Sequence, residues 1–471
     1  MSEAQSFVVD TEISPVYYDE VVKFIYHNYL LRHREVFGNI HRAKVNEVYT
    51  LYFTAFDPAR TWSIGVEVKA GKPIQVRMTP NGQVPEEVLE EIREALVINV
   101  QLFEENVRKS TLYFTWIKGE KIIPEEAPSA KKRLSGNIFT SSMLLLYALL
   151  FAINIILFIF FGLYSVLAIL AVQLATVLLS DKMYLRLGKW RITQQNPTVH
   201  ILQYNLPADE HKEFQAKFGK EQIIQMKTEI YNRTLAVGKE PTCELGEEVF
   251  AKYGVKCTPE RRMEKVVNVY EIVKKAAEIY HLSMPKIVIS NTVMPNAAAT
   301  GPSPSRGVVL ITTGLLAQLE DDEILSVVGH ELGHLQGRDP LILFGLTSAE
   351  FLLRIFVFLP LFLFSPLLYL FVAMSIIYFI AKFFEARADL QSAIKIGQPK
   401  VLAEALQKIG FRRLQFERIP NYRLQSWIRW DPHPPIYFRI DRLEKMKTPV
   451  EVKHPLIQSV KDVFNGFKSA L

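Results

Sequence analysis

His330-Glu331-Leu332-Gly333-His334 lies inside a segment of helical periodicity, in which Ile324, Leu325, Val327, Val328, Leu332 and Leu335 supply an apolar face. Residues four apart on a helix project from one face about one turn apart. That is the separation two imidazoles need to share one zinc ion. Glu331 is adjacent to the first histidine and is placed to take a proton from an attacking water. Gly333 would leave space beside the metal. The stretch therefore reads as the metal-binding and catalytic helix of a zinc hydrolase.

A third ligand is available downstream, in Glu385-Ala386-Arg387-Ala388-Asp389. Glu385 and Asp389 are four apart and share a helix face. Glu385 can complete the metal site, and Asp389 can hold a ligand histidine by its other ring nitrogen. The alternative is a solvated helix end with Arg387 in an ion pair.

Between the two motifs runs an apolar block, Leu341–Phe384, carrying Glu350 and Arg354 one helical turn apart and Pro360 and Pro366 around its reversal. It reads as a membrane hairpin, with a partly interfacial or protein-covered hairpin as the alternative. An earlier block, Leu134–Ser180, contains no charged residue and is long enough for two spans of about 20 residues each, turning near Gly162. Asn154 and Gln173 within it read as interhelical hydrogen bonders. Lys131, Lys132 and Arg133 precede this block, and Lys182, Arg186, Lys189 and Arg191 follow it. Both flanks are therefore expected on the cytoplasmic side.

The remaining segments are expected to be soluble. Phe7–Ile13 is strand-like, Pro15–Arg34 helical, and Val45–Phe56, Trp62–Lys69 and Pro73–Met78 alternate like antiparallel strands, with Ala70-Gly71-Lys72 as a hairpin turn. Pro85–Trp116 reads as one long helix and Ala208–Leu235 as another. Glu264–Tyr280 reads as an amphipathic helix, and Lys286–Ser290 and Val308–Thr312 as strands. His27, His33 and His41 lack paired spacing and read as surface residues.

The chain has 471 residues, enough for two or three folded units, and 49% of them are hydrophobic, including 30 Phe. That suits soluble domains joined to a few membrane spans better than a transporter made only of helices. The formal charge of +6 sits partly beside the apolar blocks, so it reads as membrane-surface contact. No nucleic-acid motif is present. The two cysteines, Cys243 and Cys257, make no disulfide framework; an oxidising compartment is not indicated, and one bridge stays open. Met1-Ser2-Glu3-Ala4-Gln5 lacks the basic and apolar parts of a cleavable signal peptide.

From about Met263 to Leu443 the chain resembles the HtpX-like peptidases, relatives of the CAAX prenyl endopeptidase. The landmarks follow in order: Pro295-Asn296-Ala297-Ala298-Ala299-Thr300-Gly301, Thr312-Thr313-Gly314-Leu315-Leu316, His330 to His334, Arg338-Asp339, an apolar hairpin, Glu385-x-x-x-Asp389, His433-Pro434-Pro435 and Arg439. Ala298 departs from the family, which usually carries an aromatic there. The resemblance implies that Asn296, Ala297 and Ala298 lie on an edge strand that binds extended peptide, where Pro295-Asn296 could also make an ordinary turn. It implies an oxyanion-binding role for His433, whose alternative is to cap the helix opening at Pro434-Pro435. Arg439 would tie the last helix to the acidic site.

The expected fold is α+β: a zincin-like metalloprotease domain interrupted by a membrane hairpin, preceded by another transmembrane hairpin and an N-terminal α+β domain. Its parts are a cytoplasmic domain at 1–128, a transmembrane hairpin at 134–180, a polar insertion at 192–262, the first half of the peptidase at 263–340, the second hairpin at 341–384 and the second half at 385–471. The expected activity is zinc-dependent endoproteolysis at the cell membrane, in membrane-protein quality control. One Zn2+ is held by His330, His334 and Glu385, Glu331 and His433 act in catalysis, and Asp389 supports a ligand. Expected partners are protein or peptide substrates and the lipid bilayer, not nucleic acid. The alternatives are a membrane scaffold binding clients through its N-terminal domain, and a CAAX-type prenyl-peptide protease. A complete ligand set argues against the first, and the small number of spans against the second.

Overall fold

The computed structural model describes residues 4–57, 59–123 and 156–471. The chain forms two compact units, Met1–Lys118 with His200–Val266, and Gly119–Val199 with Val267–Leu471.

The first unit is built on an antiparallel sheet of β1 (Gln5–Val9), β2 (Phe37–Val45), β3 (Val48–Phe56), β4 (Ser63–Lys69) and β5 (Ile74–Asn81), in the order β1-β5-β4-β3-β2. Burial alternates strictly along β5, so Ile74, Val76 and Met78 face a core shared with α1 (Tyr18–Asn28) and α2 (Glu86–Arg108). The long helix expected over Pro85–Trp116 stops at Arg108. Thr111–Trp116 is instead strand β6, a run of β-branched and aromatic residues. Three strands follow in the chain, β7 (Trp190–Ile192), β8 (Thr198–Asn205) and β9 (Arg262–Asn268). β8 pairs antiparallel with β6 from Thr111 opposite Asn205 to Trp116 opposite His200. The 192–262 stretch is thus divided: β7 belongs to the second unit, and residues from His200 onward fold with the N-terminal strands. The helix expected over Ala208–Leu235 breaks at Gly219, and the one expected from Glu264 starts only at Val269, where Asn268 caps it. Cys257 is engaged in a disulfide, the alternative that cysteine count left open.

The second unit holds a four-stranded sheet in the order β11-β12-β10-β7. β12 (Val308–Thr312) is an unbroken apolar run buried at every position, and β10 (Lys286–Ser290) lies parallel to it. β11 (Ala297–Thr300) pairs antiparallel with β12 and forms the open edge. The helices are α3 (Ser165–Leu178), α4 (Ser180–Leu187), α5 (Val269–Ile279), α6 (Thr313–Gln318), α7 (Asp321–Gly337), α8 (Asp339–Phe356), α9 (Leu359–Phe364), α10 (Pro366–Lys395), α11 (Pro399–Glu417), α12 (Pro420–Ile428), α13 (Ile436–Glu444) and α14 (Pro455–Ser469).

α7 carries the histidine motif. Its first turn is acidic, which suits the positive end of the helix dipole, and Glu323 reaches back to the N–H of Glu320 at 2.8 Å. Glu323 also pairs with buried Lys408 of α11 at 2.7 Å. At the other end Arg338 adopts φ 54°, which turns the chain into α8. The chain then runs through α8 and α9 and returns in α10, whose later half packs on α7. Gly333 serves that packing and does not open space beside the metal: a Cβ there would lie 3.3 Å from Cα of Ala388.

Among the described residues α10 is long and apolar enough to cross a membrane, and α3 with α4 qualifies as a pair bent by 54°. Residues 134–155 of the first apolar block, with Asn154, lie outside the described residues, as do Lys131, Lys132 and Arg133. Gln173 on α3 faces Ser348 on α8, 3.5 Å between oxygens, as its interhelical reading expected.

Candidate metal centre

One turn of α7 places His330 and His334 with ring centroids 4.9 Å apart and Nε2 atoms 3.2 Å apart. α10 brings Glu385 opposite them: Oε2 lies 3.5 Å from Nε2 of His330 and Oε1 lies 3.5 Å from Nε2 of His334. The three side chains offer ligand atoms all within 4.8 Å of one another.

Each imidazole is oriented from behind. Nδ1 of His330 lies 2.9 Å from Asp389, which is clamped by Arg439 at 2.7 and 2.8 Å. Nδ1 of His334 lies 2.7 Å from Asp339, which Arg387 holds at 2.6 and 2.7 Å. Two histidines, two carboxylates and two arginines thus form parallel relays. The pentapeptide at 385–389 is no solvated helix end, because Arg387 and Asp389 are both buried. Asp339 has the same standing as Asp389, although sequence reasoning treats it only as a family landmark. Its signal is its position just past His334, across the positive-φ Arg338.

These residues fit a cation. A carboxylate at each Nδ1 fixes the neutral ring with its proton there, so both Nε2 atoms present lone pairs. Two lone pairs facing at 3.2 Å, with the buried Oε2 of Glu385 lacking a hydrogen-bond partner, repel unless positive charge lies between them. The field agrees. Burial pushes the His330 pKa down, but hydrogen bonds to Asp389 and Glu385 outweigh it and raise the value to about 10. His334 is also raised, burial again opposing and Glu385 and Asp339 prevailing. The surroundings stabilise positive charge at the ring nitrogens, whether a proton or a metal supplies it.

Glu331 points to the sheet edge. Its Oε2 accepts the backbone N–H of Ala299 in β11 at 2.8 Å. Exposed Asn296 precedes this strand; its N–H donates to the Thr312 hydroxyl at 2.9 Å and its carbonyl accepts the Thr312 N–H at 3.0 Å, while Ala297 and Ala298 are half-buried along the edge. His433 approaches from the other side, Nε2 3.6 Å from Glu385. Asp431 orients it by accepting its Nδ1 at 2.8 Å and its backbone N–H at 3.0 Å. His433 caps no helix; the carboxylate of Glu417 takes the N–H of Ile436 at the start of α13. Arg439 ties α13 to Asp389, as expected. His330, His334, Glu385, Asp389 and His433 therefore meet around one point, while Glu331 reaches β11 at Ala299, and His27, His33 and His41 remain exposed in the first unit.

A histidine pair on a helix, a carboxylate from a second helix, an acid beside the first histidine and an open sheet edge define a metallopeptidase. Residues 264–447 match Peptidase family M48. Among similar proteins, a protease HtpX homolog of Thermodesulfovibrio yellowstonii is 31% identical over 42% of this chain and 80% of its own length. One of Moorella thermoacetica is 34% identical over 34% of this chain and 59% of its own, and protease HtpX homolog 2 of Methanosarcina acetivorans is 30% identical over 38% and 72%. The chain belongs to peptidase family M48. It is an HtpX-like, membrane-associated zinc metalloprotease.

Proposed function

We propose that this protein is a multi-pass membrane endopeptidase that hydrolyses peptide bonds of protein substrates in membrane-protein quality control. The observation that carries the reading is the convergence of His330, His334 and Glu385 beside Glu331 and the edge of β11. His330, His334 and Glu385 would hold one zinc ion, which when bound supplies Lewis acidity toward a carbonyl and makes water a better acid.

The chain's own residues do the rest. An extended substrate adds to the edge strand at Asn296, Ala297 and Ala298. The Ala299 N–H fixes one oxygen of Glu331 and leaves Oε1 to take the proton of the attacking water and return it to the leaving amine. His433, held at Nδ1 by Asp431, donates a hydrogen bond to the oxygen that gains negative charge when its Nε2 also carries a proton. Asp389 and Asp339 keep the imidazoles in one tautomer.

In this reading the zincin-like domain is interrupted by a hairpin at 341–384 and preceded by one at 134–180. The basic residues flanking the first hairpin put the N-terminal and catalytic units on the cytoplasmic side. The disulfide at Cys257 is the observation opposed to that side, because reducing compartments keep thiols reduced. Impermeant-thiol labelling at positions near 60 and 430 decides between them. The activity is tested with purified protein: about one zinc per chain in the parent, zinc lost in Glu385→Ala, and zinc kept but casein-like substrate left intact in Glu331→Gln. Full zinc in Glu385→Ala, or hydrolysis at the parental rate in Glu331→Gln, overturns it.

A further inference from the structure

The turn of the second apolar block is among the least covered parts of the protein. Phe356, Leu363, Phe364 and Leu367 are 73, 68, 87 and 82% exposed. No charged residue lies between Arg354 and Lys382, and Ser365 is the sole polar side chain from Phe356 to Leu368. A hairpin crossing the bilayer would deliver this turn to water on the far side, at about 25 cal/mol for each Å² of apolar surface. Part of the turn's backbone is satisfied within the chain. α9 carries it as helix, Phe362 N–H bonding Phe358 at 2.8 Å, Ser365 bonding Leu361 at 3.1 Å and Tyr369 bonding Ser365 at 3.0 Å.

The cladding of α10 gives a depth. Trp430 donates its indole N–H to Ser375 at 3.0 Å and lies 5.6 Å from the ring of Phe371. Beyond that level protein covers the helix: Ile377 and Tyr378 are buried with Trp430, and Phe379 packs against α14 through Phe464 and Phe467, each 5.4 Å away. α10 as a whole is long enough to cross a membrane, yet its bare part runs only from Pro366 to Ile376, beyond which Ile377 and Tyr378 are buried. That is about 15 Å of helix, or about half of a 30 Å hydrocarbon core. Within that depth Glu350 and Arg354 are paired at 3.3 Å and mostly buried, as hydrocarbon requires.

We propose that this hairpin enters a single leaflet from the side of the metal centre and turns back inside the bilayer. The turn Phe356–Leu367 meets acyl chains near the midplane, and Trp430, beside exposed Arg429, lies at headgroup level, where amphipathic aromatic and basic residues are favoured. The proposal rests on the membrane reading given above and narrows it: the second hairpin anchors the catalytic unit without reaching the far face.

The test uses the full-length protein in phosphatidylethanolamine–phosphatidylglycerol vesicles, with Phe364→Cys, Leu363→Cys and Arg429→Cys read against the parent for its own cysteines. A fluorophore at 363 or 364 is expected to lose most emission to spin labels deep in the acyl chains. One at 429 is expected to lose most to headgroup labels. Neither 363 nor 364 should react with an impermeant maleimide from either face of the vesicle. Reaction at 364 from the face opposite 429 would overturn the single-leaflet hairpin and leave the membrane reading standing. Protein that fails to float with the vesicles would overturn the membrane reading itself. Protection of 364 without lipid quenching, together with cross-linking through 364, would show a second copy covering the turn and would also overturn the proposal.

Discussion

Nδ1 of His334 lies 2.7 Å from Oδ2 of Asp339, and Asp339 is itself gripped by Arg387. A carboxylate here fixes the proton on Nδ1 and leaves Nε2 as a donor of its lone pair. Asp339→Asn keeps the shape and removes the charge, so the imidazole is free to take the wrong tautomer. The expected outcome is zinc affinity about 10–100-fold weaker, measured by competition with a chelator. Parental affinity would show that Asp339 serves only to pair Arg387.

His433 is 43% exposed and approaches the metal site at Glu385. Its replacement should therefore leave the metal in place. His433→Gln is expected to lower kcat by about 10²–10³ with zinc content and KM little changed. Stopped assays on a fluorogenic peptide measure both constants. A change confined to KM would assign His433 to substrate binding.

In the first unit Glu12 is buried against Arg108 and Glu104, with both carboxylate oxygens lacking a hydrogen-bond partner. Burial raises its pKa from 4.5 to about 7, against the pull of Arg108 and with help from Glu104. A carboxyl whose folded pKa is raised favours the folded state when protonated. Its stabilising contribution is therefore complete below about pH 4.5 and is lost as the pH rises through 7. The loss is about 3 kcal/mol at most. Hydrogen exchange of the α2 and β6 segments in the full chain should show protection falling over that window in the parent and flat in Glu12→Gln.

The legible parts of the sequence were those whose signal is local. The histidine spacing and the buried run Val308–Thr312 each follow from side chains within a few positions. What failed was local pattern overridden by pairing. Thr111–Trp116 extends a helical rhythm yet becomes β6, because β8, some ninety residues on, offers it a partner. Distance also hides Asp339: it is held in place against His334 by Arg387, 48 residues on in α10.

The closeness of α7 and α10 governs the metal site, and Gly333 sets it. Gly333→Ala opposes two effects. In a helix interior alanine is favoured over glycine by about 1 kcal/mol. The new methyl, however, would stand 3.3 Å from Cα of Ala388 and 3.2 Å from Oε1 of Gln391. The glutamine amide can swing aside, but Ala388 is backbone and can yield only by moving α10 a few tenths of an ångström. The two terms largely cancel in global stability, so the expected change in unfolding midpoint is small. They do not cancel at the metal, because the displacement separates His330 and His334 from Glu385 directly. Zinc affinity is therefore expected to fall while stability holds, with Gly333→Leu losing both. Thermal unfolding and chelator competition on the same preparations check the split. Equal zinc affinity in Gly333→Ala and the parent would mean that the two helices adjust along their length and that their approach at Gly333 does not set the ligand geometry.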